Sequence, residues 1–154
     1  MIKRLSDDVR PLVLSTAAGE ARRRGDRRLG TEHLLLGLLH DDTGPVAAAL
    51  GVSLESARAA LDALDRSALA GIGITVEDVA TIDGSAAGGR PPLSSGARAV
   101  FKAAIDRARA DRTARITAEH FLLALLDCKR PDPVADLLGE LGVEPAAARA
   151  ALAD

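Results

Sequence analysis

Two Glu-His pairs are the side chains best suited to chemistry: Glu32-His33 in TEHLLLGLL (31–39) and Glu119-His120 in AEHFLLALL (118–126). Carboxylate and imidazole are both metal ligands. Neighbours on a helix, however, point about 100° apart, so the two members of one pair do not converge on an ion. No metal site is expected. Each imidazole falls in a first helical turn beside an apolar face, where a neutral ring can bond backbone and fix the helix entrance. His33 and His120 are therefore read as structural helix-start residues, together with Thr31 and Thr117. An acidic residue at a helix N-terminus gains about 0.3–1 kcal/mol from the dipole, which accounts for Glu32 or Glu119 taken singly. It accounts less well for glutamate in both copies while the residues around it vary, Thr31 against Ala118 and Gly30 against Thr117. A carboxylate at a repeat-matched, exposed position is also a receptor for a guanidinium group, held by a two-pronged hydrogen-bonded pair.

Other catalytic signatures are missing. The chain has no G-x-x-x-x-G-K-[ST] phosphate loop and no G-x-S-x-G elbow. Its single cysteine, Cys128, follows an apolar run and reads as a half-buried structural thiol in a reducing cytoplasm. His40, in LLHDD, reads as a partner for the negative end of a helix dipole. A formal net charge of −2 argues against nucleic acid and anionic membrane as partners. Two Phe and no Trp or Tyr leave no base-stacking platform. The start MIKRLSDDVR has no apolar segment of a signal peptide, and no apolar run approaches the roughly 18–20 residues of a membrane span.

The elements that must position the two pairs follow from the repeat. Glu32 to Glu119 and His33 to His120 are each 87 positions. Helix signals predict a first helix at about 7–24, capped by Ser6, with Pro11 forcing either a later start or a bend. LGTEHLLLGLLHDD forms the second, opening near Gly30 or Thr31. GPVAAALG forms a short third with Pro45 near its first position, and VSLESARAALDALDRSALAG a fourth capped by Ser53. The order then recurs: SSGARAVFKAAIDRARADR, ITAEHFLLALLDC capped by Thr117, PDPVADLLGELG and VEPAAARAALAD. Aligning the fourth helices puts Arg58 on Arg149 at an offset of 91, so the second copy has gained residues around its third helix. The expectation is one all-α domain, 1–154, of two four-helix repeats related by a pseudo-twofold axis. Repeat 1 spans about 5–66 and repeat 2 about 93–153. The linker at about 67–92 carries a short helix near 75–80 and a flexible stretch near 83–92.

LGTEHLLLGLL followed by GPVAAALGVSLESAR, with its second copy, resembles the N-terminal repeat domain of Clp/Hsp100 unfoldases, nearest the ClpC type. The resemblance implies an all-α repeat domain without catalysis or cofactor. It implies docking of adaptors, degrons and substrates and, for ClpC-type members, recognition of phosphorylated arginine by the paired glutamates. Matched to that pattern, Glu32 and Glu119 take the guanidinium, and the helix starts at Ser6 and Ser94 offer hydroxyls and open N–H groups to the phosphate. Cyclic-peptide antibiotics are further partners of that domain, but the aromatic edges they grip are replaced by Ile2, Leu5 and Leu93. The favoured expectation is a stand-alone binding module without ATPase, either recognising phosphoarginine-marked proteins or acting as a decoy for Clp-directed ligands. The alternatives are a structural or regulatory protein that keeps the fold without its ligand sites, and a fragment of a longer unfoldase.

Overall fold

A computed structural model of the chain describes residues 4–73 and 90–153. The expected short helix near 75–80, and all of the flexible stretch except 90–92, lie outside those residues. The described part is helical, with two isolated parallel bridges and no strand.

The first helix, α1, is continuous from Val9 to Arg23 but not uniform: an α turn Val9–Pro11, a π segment Leu12–Thr16 and an α segment Ala17–Arg23. It is followed by α2 (Thr31–Leu39), α3 (Pro45–Leu50) and α4 (Leu54–Ala70). The second copy consists of α5 (Ser95–Ala110), α6 (Ala118–Leu126), α7 (Pro133–Glu140) and α8 (Pro145–Ala153). Pro11 falls in the first turn of α1, where its missing N–H is no loss. Pro45 and Pro133 open α3 and α7, and the Ser53 hydroxyl caps α4 by accepting from the Ser56 N–H at 3.0 Å.

Ser6 corrects one expectation. Its carbonyl does take the Arg10 N–H at 3.0 Å, as Ser94 takes that of Arg98 at 3.0 Å. Ser94 also caps with its hydroxyl, accepting from Ala97 N–H at 3.1 Å. The buried hydroxyl of Ser6 has no partner among the described residues, so Ser6 is not a side-chain cap.

The π segment has a cause in the repeat itself. Ser6 to Ser94 is 88 positions (94 − 6), whereas Leu29 to Ile116 is 87 (116 − 29), so repeat 1 carries one extra residue between them. A π turn absorbs one residue without breaking the helix. At the offset of 88, Val9 before it and Val13 near its start match Ala97 and Phe101. Beyond it Ala17 and Ala21 match Ala104 and Ala108, and all eight are buried. The widened turn pushes the Leu12 carbonyl toward α2. A Cβ added at Gly37 would run into that oxygen and into Ala17, whereas the equivalent position in α6 is the buried Ala124. The extra residue and the missing methyl are two halves of one accommodation. The positive φ of 58° at Arg112 likewise matches the 74° of Gly25.

The later gains of the second copy lie before, within and just after α7, which has eight residues against six in α3. The offset rises from 87 at Leu39/Leu126 to 88 at Pro45/Pro133 and 91 at Gly51/Gly142, the two glycines whose φ of 66° and 72° close α3 and α7.

One apolar core runs through both copies, from Leu5, Val9 and Leu29 to Phe121, Leu125 and Leu137. Packing between the copies is reciprocal: α4 lies against α7 and α8 against α3, while α2 touches α7 and α6 touches α3. The lead-in segments cross as well. Leu29 N–H donates to Pro92 O at 2.8 Å and Ser94 N–H to Leu29 O at 3.0 Å. Ile116 N–H donates to Arg4 O at 2.8 Å and Ser6 N–H to Ile116 O at 3.0 Å. These crossings set Ser94 beside the start of α2 and Ser6 beside the start of α6.

Candidate binding site

Both histidines close the helices they open. His33 Nδ1 accepts the Gly30 N–H at 2.8 Å, and His120 Nδ1 accepts the Thr117 N–H at 2.9 Å. Each ring therefore carries its proton on Nε2, which reaches Asp26 at 2.7 Å in one copy and Asp111 at 3.1 Å in the other. Two rings buried to 2% and 5% exposure do the work usually left to the glutamate or glutamine of a capping box, taking the N–H of the residue before the helix. Thr117 holds the position before α6 with its hydroxyl 3.1 Å from His120 Nδ1. Thr31 does something different. Its buried hydroxyl donates to Asp132 and accepts the Val134 N–H at 3.2 Å, joining the start of α2 to the start of α7. Among the described residues no cluster of His, Cys, Asp and Glu has the makings of a metal site.

The two glutamates are not equivalent, contrary to the sequence expectation that both are exposed. Glu119 is exposed. Glu32 keeps only 17% of its side chain exposed. Its carboxylate folds back over Gly30, filling the space a Cβ there would need. Oε1 has no hydrogen-bond partner and lies 3.6 Å from His33 Nδ1. Burial pushes the Glu32 pKa up.

Glu32 opens on a cavity of about 650 Å³ that it shares with Ser94, Ser95 and Gly96 at the start of α5. A Cβ at Gly96 would come within 2.9 Å of the Asp132 carboxylate and displace it. Arg27, Arg28 and Lys129 line the same cavity, are exposed, and have no ionic partner among the described residues. The spacing of the sequence pointed to Glu32 and Ser94 but not to these cations, nor to Gly30 and Gly96. The signal available was the pairing of Ser-Gly after a proline-rich stretch with the Asp-Pro at 132–133. Three remaining residues lie elsewhere. His40 sits with Nε2 3.5 Å from the buried Glu20, Ser6 lies at the other crossing, and Cys128 is half-buried with burial pushing its thiol up to about 11.

The arrangement brings a carboxylate with one oxygen lacking a partner, the start of α5 and three cations without an ionic partner among the described residues onto one cavity. The fold that carries this cavity is a helical domain of two crossed repeats. Over residues 5–141 the chain matches the Clp repeat (R) N-terminal domain, and it belongs to that family of protein-interaction modules. It is 32% identical over 129 residues to a chaperone protein ClpD2, chloroplastic, of Oryza sativa subsp. japonica, covering 81% of this chain and 12% of that protein. Its fold matches the crystal structure of the N-terminal domain of the ClpD chaperone of Arabidopsis thaliana with a TM-score of 0.77 at 22% identity, covering 99% of this chain and 97% of that one.

Proposed function

We propose that this domain is a non-catalytic receptor of the Clp system that holds arginine-phosphorylated segments of substrates or adaptors. The observation that carries the reading is the Glu32 carboxylate, which lines the same cavity as the start of α5 and whose buried Oε1, turned onto Gly30, has no hydrogen-bond partner. Once the carboxylate turns from Gly30 toward the cavity, a guanidinium supplies the bonds that Oε1 lacks and, as a neighbouring cation, offsets the cost of burying the charge. The phosphate then meets the first N–H groups of α5, the Ser94–Ser95 hydroxyls and the side chains of Arg27, Arg28 and Lys129. Docking of unmodified adaptors or degrons, and interception of Clp-directed ligands as a decoy, use the same receptor surface. The lone Cys128 supports a reducing compartment such as the cytoplasm, and no helix of the described residues is long and apolar enough to cross a membrane.

Isothermal titration with phosphoarginine is the test. Saturable binding that Glu32→Ala weakens by at least about tenfold, or about 1.4 kcal/mol, supports the reading. Absence of binding, or unchanged affinity in the variant, refutes it. A second reading, a regulatory protein that keeps the fold without the ligand sites, draws support from Leu5. Standing where the family has an aromatic edge, Leu5 is wholly buried in its bridge to Ile116. That burial also speaks against capture of cyclic-peptide antibiotics at this edge.

A further inference from the structure

The crossing of the two copies creates two corners of like design, Glu32 with Ser94 and Glu119 with Ser6. Their charges have diverged. Around the first corner, Arg27, Arg28 and Lys129 stand against Glu32, Asp26 and Asp132, leaving the lining neutral. The repeat offsets place Ala114 where Arg27 stands and Arg115 where Arg28 stands (27 + 87 and 28 + 87). Lys129 is matched by Asp41 or Asp42, depending on which side of the inserted residue the offset is taken (129 − 88 or 129 − 87). Ser95 and Gly96 are matched by Asp7 and Asp8 (95 − 88 and 96 − 88), both exposed. The second corner therefore sets Arg115 and Arg10, which already reach the Leu5 carbonyl at 3.4 and 3.1 Å, against Glu119, Asp7, Asp8 and one further aspartate, with Arg10 3.6 Å from Asp7 and the balance still negative.

Shape diverges in the same sense. Thr31 and Asp132 supply bulk opposite Gly96 in the first corner. Their equivalents are Ala118 and Gly44, opposite Asp8 (31 + 87, 132 − 88 and 96 − 88). Two aspartates immediately before α1 occupy the positions that Ser95 and Gly96 hold at the start of α5, and their charge lowers the potential an anion would meet there.

From this we infer that the domain takes one phosphoryl-bearing ligand, at the Glu32–Ser94 corner, and that Asp7 and Asp8 exclude a phosphate from the Glu119–Ser6 corner. The inference rests on the phosphoarginine reading and narrows it: a duplicated scaffold retains a single anion-accepting corner.

Titration of the whole chain with phosphoarginine, read by calorimetry and by backbone amide shifts, separates the cases. The expected result is a stoichiometry of one, with shifts at Ser94–Gly96 and not at Ser6–Asp8. Glu32→Ala weakens binding at least about tenfold, and Glu119→Ala changes it by less than about twofold. The double variant Asp7→Ser with Asp8→Gly, which copies the start of α5 onto α1, raises the stoichiometry toward two. A stoichiometry of two in the unaltered chain, or equal losses from the two glutamate variants, overturns the inference while leaving phosphoarginine recognition intact. Absence of any binding, in a chain whose amide spectrum is folded, overturns the recognition itself and this inference with it.

Discussion

Replacing Arg58 by alanine is expected to be among the most damaging changes outside the apolar core. Glu20 is buried to 4% exposure, and Arg58 engages both of its oxygens, Nε to Oε1 at 2.8 Å and a terminal nitrogen to Oε2 at 2.7 Å. Removing the guanidinium strands a carboxylate with only His40, 3.5 Å away. Breaking a buried pair from one side costs about 3–5 kcal/mol. Arg58 retains 29% of its side-chain exposure, so water follows into the gap, and about 2–3 kcal/mol is the figure expected here. For a domain of this size that is a fall in Tm of roughly 5–10 °C.

The repeat supplies its own control. Arg149, the counterpart of Arg58, pairs with Asp127 at 2.7 Å, but both side chains are over 40% exposed. Arg149→Ala should therefore cost less than about 1 kcal/mol. Acid adds a second check. The Arg58 hydrogen bonds, working against burial, hold the Glu20 carboxyl below its ordinary range. The stability this gives is present above the unfolded pKa and is lost as pH falls through the lowered folded one. The gap between Arg58→Ala and the unaltered chain should thus narrow on acidification. Urea and thermal unfolding at pH 7 and in acid measure all of these quantities. A cost for Arg149→Ala that equals or exceeds that of Arg58→Ala, or a gap indifferent to pH, would refute the reasoning.

Two further outcomes follow from the geometry. Gly37→Ala drives a methyl into the Leu12 carbonyl and should destabilise by about 1–3 kcal/mol; urea unfolding that finds the variant neutral would contradict the close approach of α2 to the π segment. Glu32 has a folded pKa raised by burial, so the native state binds more protons than the unfolded chain just above pH 4.5, and stability falls as pH rises through that window. Glu32→Gln should accordingly be more stable than the unaltered chain at pH 7, with the advantage gone well below pH 4.5, and stability curves at the two pH values check it.

The helices and their duplication are legible in the sequence because Pro45, Ser53, Pro133 and the spacing of Leu and Ala are local signals, each acting within one turn. The one-residue excess in repeat 1 was also countable, as 88 at the serines against 87 at the glutamates. Its form was not, because whether an extra residue becomes a loop or a π turn depends on what α2 presents opposite, and Gly37 is 25 positions from Leu12 (37 − 12). The site was half legible. Glu32 and Ser94 stand out by type, yet only the crossed bridges at Leu29 and Ile116 decide which serine faces which glutamate. Burial separated the twin glutamates for the same reason: the lid over Glu32 is its own carboxylate turned onto Gly30, a contact that periodicity cannot encode.

The repeat positions 20/107, 40/127 and 58/149 show how far the copies have drifted while staying matched. Glu20, His40 and Arg58 form one ionic cluster, and Arg107, Asp127 and Arg149 form the other, with the acid moved from the first helix to the end of the second. A chimera that joined two identical copies of either half would keep each cluster whole. It would still set unmatched partners against each other wherever the halves interlock, α4 on α7 and α8 on α3. Each half has become the template that the other must fit, and ancestral symmetry can no longer be restored by copying one of them.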